Sequence, residues 1–239
     1  MPAQTTATGC RVQRYHPALN LGDMLTVHAQ RQEAVEVHMR QSSADSACAL
    51  HCVAMALIVL NMVKRSAVVA MTHRKYGVAA DLYELLGHTW LQGVFAAEVV
   101  EALEAMELPL RVRWADGFDA DTDAFAINSL KRGQLTMLAY EASCSERHRH
   151  FVLGVGCGGV MHGRDLAIDS LLVLDPSIDA LPFSCCNAIL TMDDTLQMSK
   201  RRKSIQWSYA SFGACEPVRL MSAISLVPRE RGSIGWVSK

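Results

Sequence analysis

A cysteine that opens a helix, a histidine that opens a strand and an aspartate that closes another can supply a nucleophile, its base and the group that holds the base. The stretch QSSADSACALHCVAMALIVL, residues 41–60, passes from polar, turn-prone residues to an almost unbroken apolar run at Cys48. Asp45 and Ser46 are both good N-cap residues, which predicts a helix with Cys48 in its first turn. There the free backbone N–H groups and the positive end of the helix dipole favour a thiolate and could receive a developing oxyanion. The spacing also fits a plainer reading, since Cys48, Cys52, Met55 and Val59 form one helical stripe of core residues.

A thiolate needs a base. Two of the nine histidines lie in ERHRHFVLGVG. On a strand beginning near Arg147, His148 and His150 face one side and Phe151 and Leu153 the other. His150 directly precedes the apolar run and is the preferred base, with His148 its competitor. Further on, LLVLDPS predicts a strand ending at Asp175, just before a Pro turn, where a carboxylate can hold an imidazole on a neighbouring strand. Cys144, His148, His150 and Cys157 could also be read as zinc ligands, but they lack the paired knuckles of structural zinc, so no metal or cofactor is expected. Adjacent Cys185 and Cys186 could meet an oxidant or a metal, yet LPFSCCNAIL reads more simply as packing. The basic run SKRRKS (199–204) fits a solvated loop better than a docking site for an acidic partner.

These residues need elements to position them. Of the 239 residues half are apolar, and the formal net charge is −1, which argues for a globular protein and against a nucleic-acid partner. The start lacks a signal-peptide pattern, and the eight cysteines contain no CxxC, so a cytoplasmic protein with reduced thiols buried in its core is expected. The apolar run from Ala47 to Val63 approaches membrane-spanning length, but His51 and Asn61 within it favour a buried central helix over a transmembrane segment. MLTVHAQ and AVEVHMR suggest short strands. Helical spacing follows from Ser46 to about Met71, then in ADLYELLGHTW and FAAEVVEALEAME. LPLRVRW, QLTMLAY, HFVLGVG, LLVLDPS and VRLMSAISLV read as strands. Helices first and strands afterwards predict an α+β protein, its helical part packed on a mainly antiparallel sheet.

The order of Gln, Cys at a helix start, His at a strand start and then Asp-Pro resembles the C39 family of papain-like cysteine peptidases, which commonly sit on bacteriocin exporters and remove leader peptides after a double glycine. The resemblance is tightest in CALHCVAM and continues through RKYGVAADLYELL, HFVLGVG and VLDPS, spanning roughly residues 41–180. It implies a papain-like fold, with a helical lobe carrying the cysteine on a mainly antiparallel sheet carrying the histidine and aspartate. With no transporter span or nucleotide-binding motif after it, a free-standing domain over 41–239 is expected, preceded by an extension over 1–40. Carried over, Cys48 is the nucleophile, His150 the general base and acid, Asp175 its orienting group and Gln41 a side-chain donor to the oxyanion. The sequence departs from the family at Ala49, where a glycine usually follows the nucleophile, and at Gln41, one residue further from the cysteine. It departs again in GCGGVMHGRDLAIDS, which lengthens the connection between the histidine and aspartate strands. Gly158-Gly159 within it reads as a turn rather than a self-processing site.

The expected function is that of a bacterial, cytoplasmic thiol protease cleaving a peptide or protein substrate, with small residues such as Gly-Gly before the cut. The same triad could serve an acyltransferase or deamidase, and a peptide-binding module without turnover is the third class. An exposed, unusually acidic Cys48 thiol separates an enzyme from a binding module.

Overall fold

The structure, a computed structural model, describes residues 9–28, 34–142, 149–192 and 205–229. In chain order the elements are β1 (Cys10–Tyr15), β2 (Leu19–Asn20), β3 (Thr26–His28), β4 (Ala34–Glu36), α1 (Cys48–Val59), α2 (Arg65–Val69), a 3-10 turn (Met71–His73), α3 (Val78–Leu86), α4 (Thr89–Gln92) and α5 (Ala96–Ala105). There follow β5 (Leu110–Asp116), α6 (Ala120–Lys131), β6 (Leu135–Ala142), β7 (Arg149–His162), β8 (Asp165–Leu174), β9 (Ala188–Met192), β10 (Trp207–Ser211) and β11 (Cys215–Pro228). His148, Cys144 and the basic run 199–204 lie outside the described residues.

Six antiparallel strands close on themselves in the order β7-β6-β11-β10-β9-β8, with β8 pairing back onto β7. β1 and β5 add to this barrel along the long strands β7 and β11, and β2-β3-β4 make a separate small sheet. Helices occupy 28% of the described residues and strands 39%, so the barrel and not a helical lobe dominates. The expected papain-like layout, a helical lobe packed on a sheet, is therefore corrected to a closed six-stranded antiparallel barrel with few helices. The physical reason lies in β9 and β10. These two short staves join β8 to β11 and leave the six-stranded circuit without a free edge.

Two faces of the strands serve two cores. Every residue of β6 is buried, and its side chains alternate: Leu138 and Tyr140 join the barrel interior, Met137 and Ala139 the helical side. In β7, Val152 likewise points to the interior, and Phe151 and Leu153 to the helices. The interior is filled by side chains such as Leu171, Val173, Leu190, Trp207 and Val218, together with Ala126 and Leu130 of α6. Asp123 of the same helix accepts from the Trp207 indole N–H at 2.8 Å and from the Ile205 amide at 2.6 Å, tying α6 to the start of β10.

On the outer side lies α1, buried all round except at His51, which is why its sequence shows an apolar run rather than one stripe. Among the described residues no helix is long and apolar enough to cross a membrane. The helical spacing read from Ser46 to Met71 is broken after α1. Asn61 takes a left-handed φ of 56°, and α2 starts afresh at Arg65.

The stretch read as a long connection, GCGGVMHGRDLAIDS, is instead the body of a β7–β8 hairpin that turns at Gly163, φ 63°. Gly158 and Gly159 therefore lie in a strand, at a register shift, and not in a turn. Glycine is needed here because neighbours crowd in: a Cβ at Gly159 would run into the Ala167 carbonyl of β8, and one at Gly156 into the Arg14 carbonyl of β1.

Candidate active site

Cys48 is the first residue of α1. The N-cap is Ala47, which has no side chain to satisfy the first-turn N–H groups. Asp45, expected as a cap, organises the preceding turn instead. Its carboxylate accepts from the Ser42 and Ala47 amides at 2.9 and 3.0 Å. The Ser46 amide donates to the Trp90 carbonyl at 2.6 Å, anchoring this approach to α4. One turn on, the Cys52 thiol points to the Phe151 carbonyl at 3.5 Å and fixes α1 against β7 beside His150. Burial pushes the Cys52 thiol well above the ordinary range, so it is an inert packing thiol.

His150 opens β7 opposite Tyr140 of β6. Its Nε2 donates to Asp175 Oδ1 at 2.7 Å, while the Cys48 thiol, directed at the Ser46 carbonyl at 4.0 Å, lies near enough to the ring to influence its pKa. Burial alone would depress the imidazole, but the hydrogen bond and charge of Asp175, with Cys48 nearby, outweigh it, and the pKa is pushed up to about 10. Asp175 lies just past the end of β8 and is 1% exposed. Burial would raise it, yet the bond and charge of His150, then Ser177 and Tyr209, hold it down at about 2. His150 and Asp175 are thus paired at one end of the barrel, where β8 ends and β7 begins, with Cys48 of α1 near the imidazole.

Gln41 reaches the same end by its backbone: its amide donates to the Pro176 carbonyl at 2.7 Å. Its side-chain Oε1 is buried without a hydrogen-bond partner among the described residues. Cys157 sits in the barrel interior, and Cys185 and Cys186 pack at the edge of the helical core. Among the described residues no cluster of His, Cys, Asp and Glu could hold a metal ion.

Sequence reasoning missed the groups that hold Asp175. Its Oδ1 also takes the Ser177 amide at 2.7 Å and hydroxyl at 2.6 Å, and its Oδ2 takes the Tyr209 hydroxyl at 2.6 Å. Asn187 clamps the backbone, accepting from the Asp175 amide at 2.7 Å and donating to its carbonyl at 2.8 Å. That carbonyl also meets Nε2 of His38, a buried imidazole whose pKa burial lowers. Only Ser177 carried a signal, a hydroxyl two residues after an aspartate in a turn. Tyr209 and Asn187 stand alone in their segments and gain meaning only when the barrel closes.

The arrangement can generate a sulfur nucleophile beside an imidazolium, present first-turn N–H groups to a developing negative charge, and move a proton between thiol, substrate and water. No family model matches the chain, and no curated protein matches it.

Proposed function

We propose that this protein is a cysteine peptidase whose active site is carried at one end of the closed barrel. The observation that carries the reading is the buried His150–Asp175 pair, joined at 2.7 Å, with Cys48 at the start of α1 close enough to act on the imidazole. In this reading Cys48 Sγ attacks the carbonyl carbon of a peptide bond. The oxyanion is met by the first-turn N–H groups of α1, with Gln41 beside it. His150 then passes its proton to the leaving amine as the C–N bond breaks, which leaves a thioester on Cys48. The neutral imidazole next takes a proton from water, the hydroxide attacks the thioester, and the acid product leaves as the thiol–imidazole pair re-forms. Asp175 keeps Nε2 occupied, so that the other ring nitrogen faces the sulfur. The likeness of CALHCVAM, HFVLGVG and VLDPS to the C39 peptidases supports a peptide as the substrate, on a scaffold that is a closed barrel.

The test is incubation with a mixed peptide library, including Gly-Gly sequences, with products read by mass spectrometry. Hydrolysis gives two fragments whose masses sum to the peptide plus water, and Cys48→Ala abolishes them. A single product joined to an added amine would replace the peptidase with an acyltransferase, and exchange of ammonia for water with the chain left whole would make it a deamidase. Peptide retained uncleaved by wild type and Cys48→Ala alike would leave a binding module.

A further inference from the structure

The Asp175 carboxylate is held by more than the histidine it faces. Tyr209 is 4% exposed and reaches it from β10, which is separated from β8 by β9 alone. The 2.6 Å separation from Oδ2 is that of a short hydroxyl–carboxylate bond. Burial and the Asp175 charge raise the Tyr209 pKa, so the phenol keeps its proton and stays a donor. Its ring leans on Tyr140 at 5.4 Å, and the Tyr140 ring in turn meets the His150 ring edge-on at 5.7 Å. The two tyrosines thus form a wall under the histidine and the aspartate. Phenylalanine would fill the same space, so packing alone does not require the hydroxyl.

We propose that Tyr209 is a positioning residue for the site: its phenol fixes the Asp175 carboxylate and draws off part of its charge, so setting how tightly Asp175 holds the His150 proton. The role matters because His150 must give that proton to the leaving amine. An undiluted carboxylate would hold the imidazolium too firmly to make it a good acid. Among the described residues, the titratable groups that enter the balance are Cys48 from α1, Tyr140 from β6, Asp175 after β8 and, through Asp175, Tyr209 from β10, with Glu216 of β11 acting on both tyrosines. The consequence for catalysis rests on the peptidase reading; the coupling itself does not.

The experiment is a titration of His150 by NMR on histidine-labelled protein, comparing wild type, Tyr209→Phe and protein with 3-fluorotyrosine incorporated at 209. Removing the phenol should raise the His150 midpoint, and the more acidic fluorophenol should lower it, each by a threefold or larger change in the imidazole-to-imidazolium ratio, about half a unit or more. Movement in opposite directions is a signature that a packing role cannot produce. An unchanged midpoint in the fluorotyrosine protein, or shifts of the same sign in both, overturns the proposal. Fluorotyrosine keeps the shape of the side chain, so this arm decides even where Tyr209→Phe fails to fold. The titration reads the Tyr209–Asp175–His150 coupling whether or not Cys48 is a nucleophile, so its failure is separate from that of the peptidase reading.

Discussion

Between His150 Nε2 and Asp175 Oδ1 the separation is 2.7 Å, and both groups titrate far from their ordinary values, which makes the contact visible in stability. His150 is raised from 6.5 to about 10, so its contribution is complete below pH 6.5 and is lost as pH climbs through 10. Asp175 is lowered from 3.8 to about 2, so its contribution is complete above pH 3.8 and is lost as pH falls through 2. The gap in thermal midpoint between wild type and His150→Gln should therefore be widest between about pH 4 and 6.5 and shrink on both sides. Calorimetry across a pH series checks this, and a gap that stays constant from pH 3 to 10 contradicts it. Cys48, His150 and Asp175 could be singled out because each sits at a junction the sequence marks: a polar-to-apolar switch, the start of an apolar run, and a Pro turn. Tyr209 could not. A tyrosine in WSYAS has no local feature distinguishing a buried donor from a surface ring, and its partner is 34 residues away.

The strands that position the site depend on close backbone approaches, and Gly156 is the sharpest case. An added Cβ there would meet the Arg14 carbonyl and the Tyr15 Cα, so Gly156→Ala must push β1 away from β7. We expect a loss of about 1–3 kcal/mol in urea unfolding. Gly213→Ala, where the added methyl meets open space, should change little. Equal effects of the two substitutions would contradict the packing described here. The same glycines explain what the sequence hid. GCGGVMHG has the composition of a loop, and periodicity cannot tell a glycine that frees the chain from one that lets two backbones touch. Buried strands such as QLTMLAY were legible because both faces are covered and the run is apolar throughout. The α6 segment was missed because only a narrow face, Asp123, Ala126 and Leu130 among it, is buried, and the central buried group is an acid.

Across the whole molecule, α1 and the long strands were readable, but α6 among the strands and the closure of the barrel were not. An α+β pattern of helices followed by antiparallel strands is compatible with an open sheet or a barrel. The choice was made by β9 and β10, whose five residues each carry too little pattern to announce two further staves. Closure gathers the end of β8, the start of β7 and Tyr209 of β10 at one end of the barrel, and α1 brings the Cys48 thiol to them from outside. The central claim, a thiol paired with His150 and poised to attack, is tested most directly by limiting iodoacetamide across a pH series, with the labelled cysteines located by peptide mass spectrometry. At about pH 5 an ordinary thiol, with a pKa near 8.5, barely reacts. The account predicts that Cys48 is labelled first there, ahead of exposed Cys10 and Cys215, and that His150→Ala abolishes the preference. A Cys48 that is protected at every pH, or no faster than Cys10 and Cys215, would contradict it.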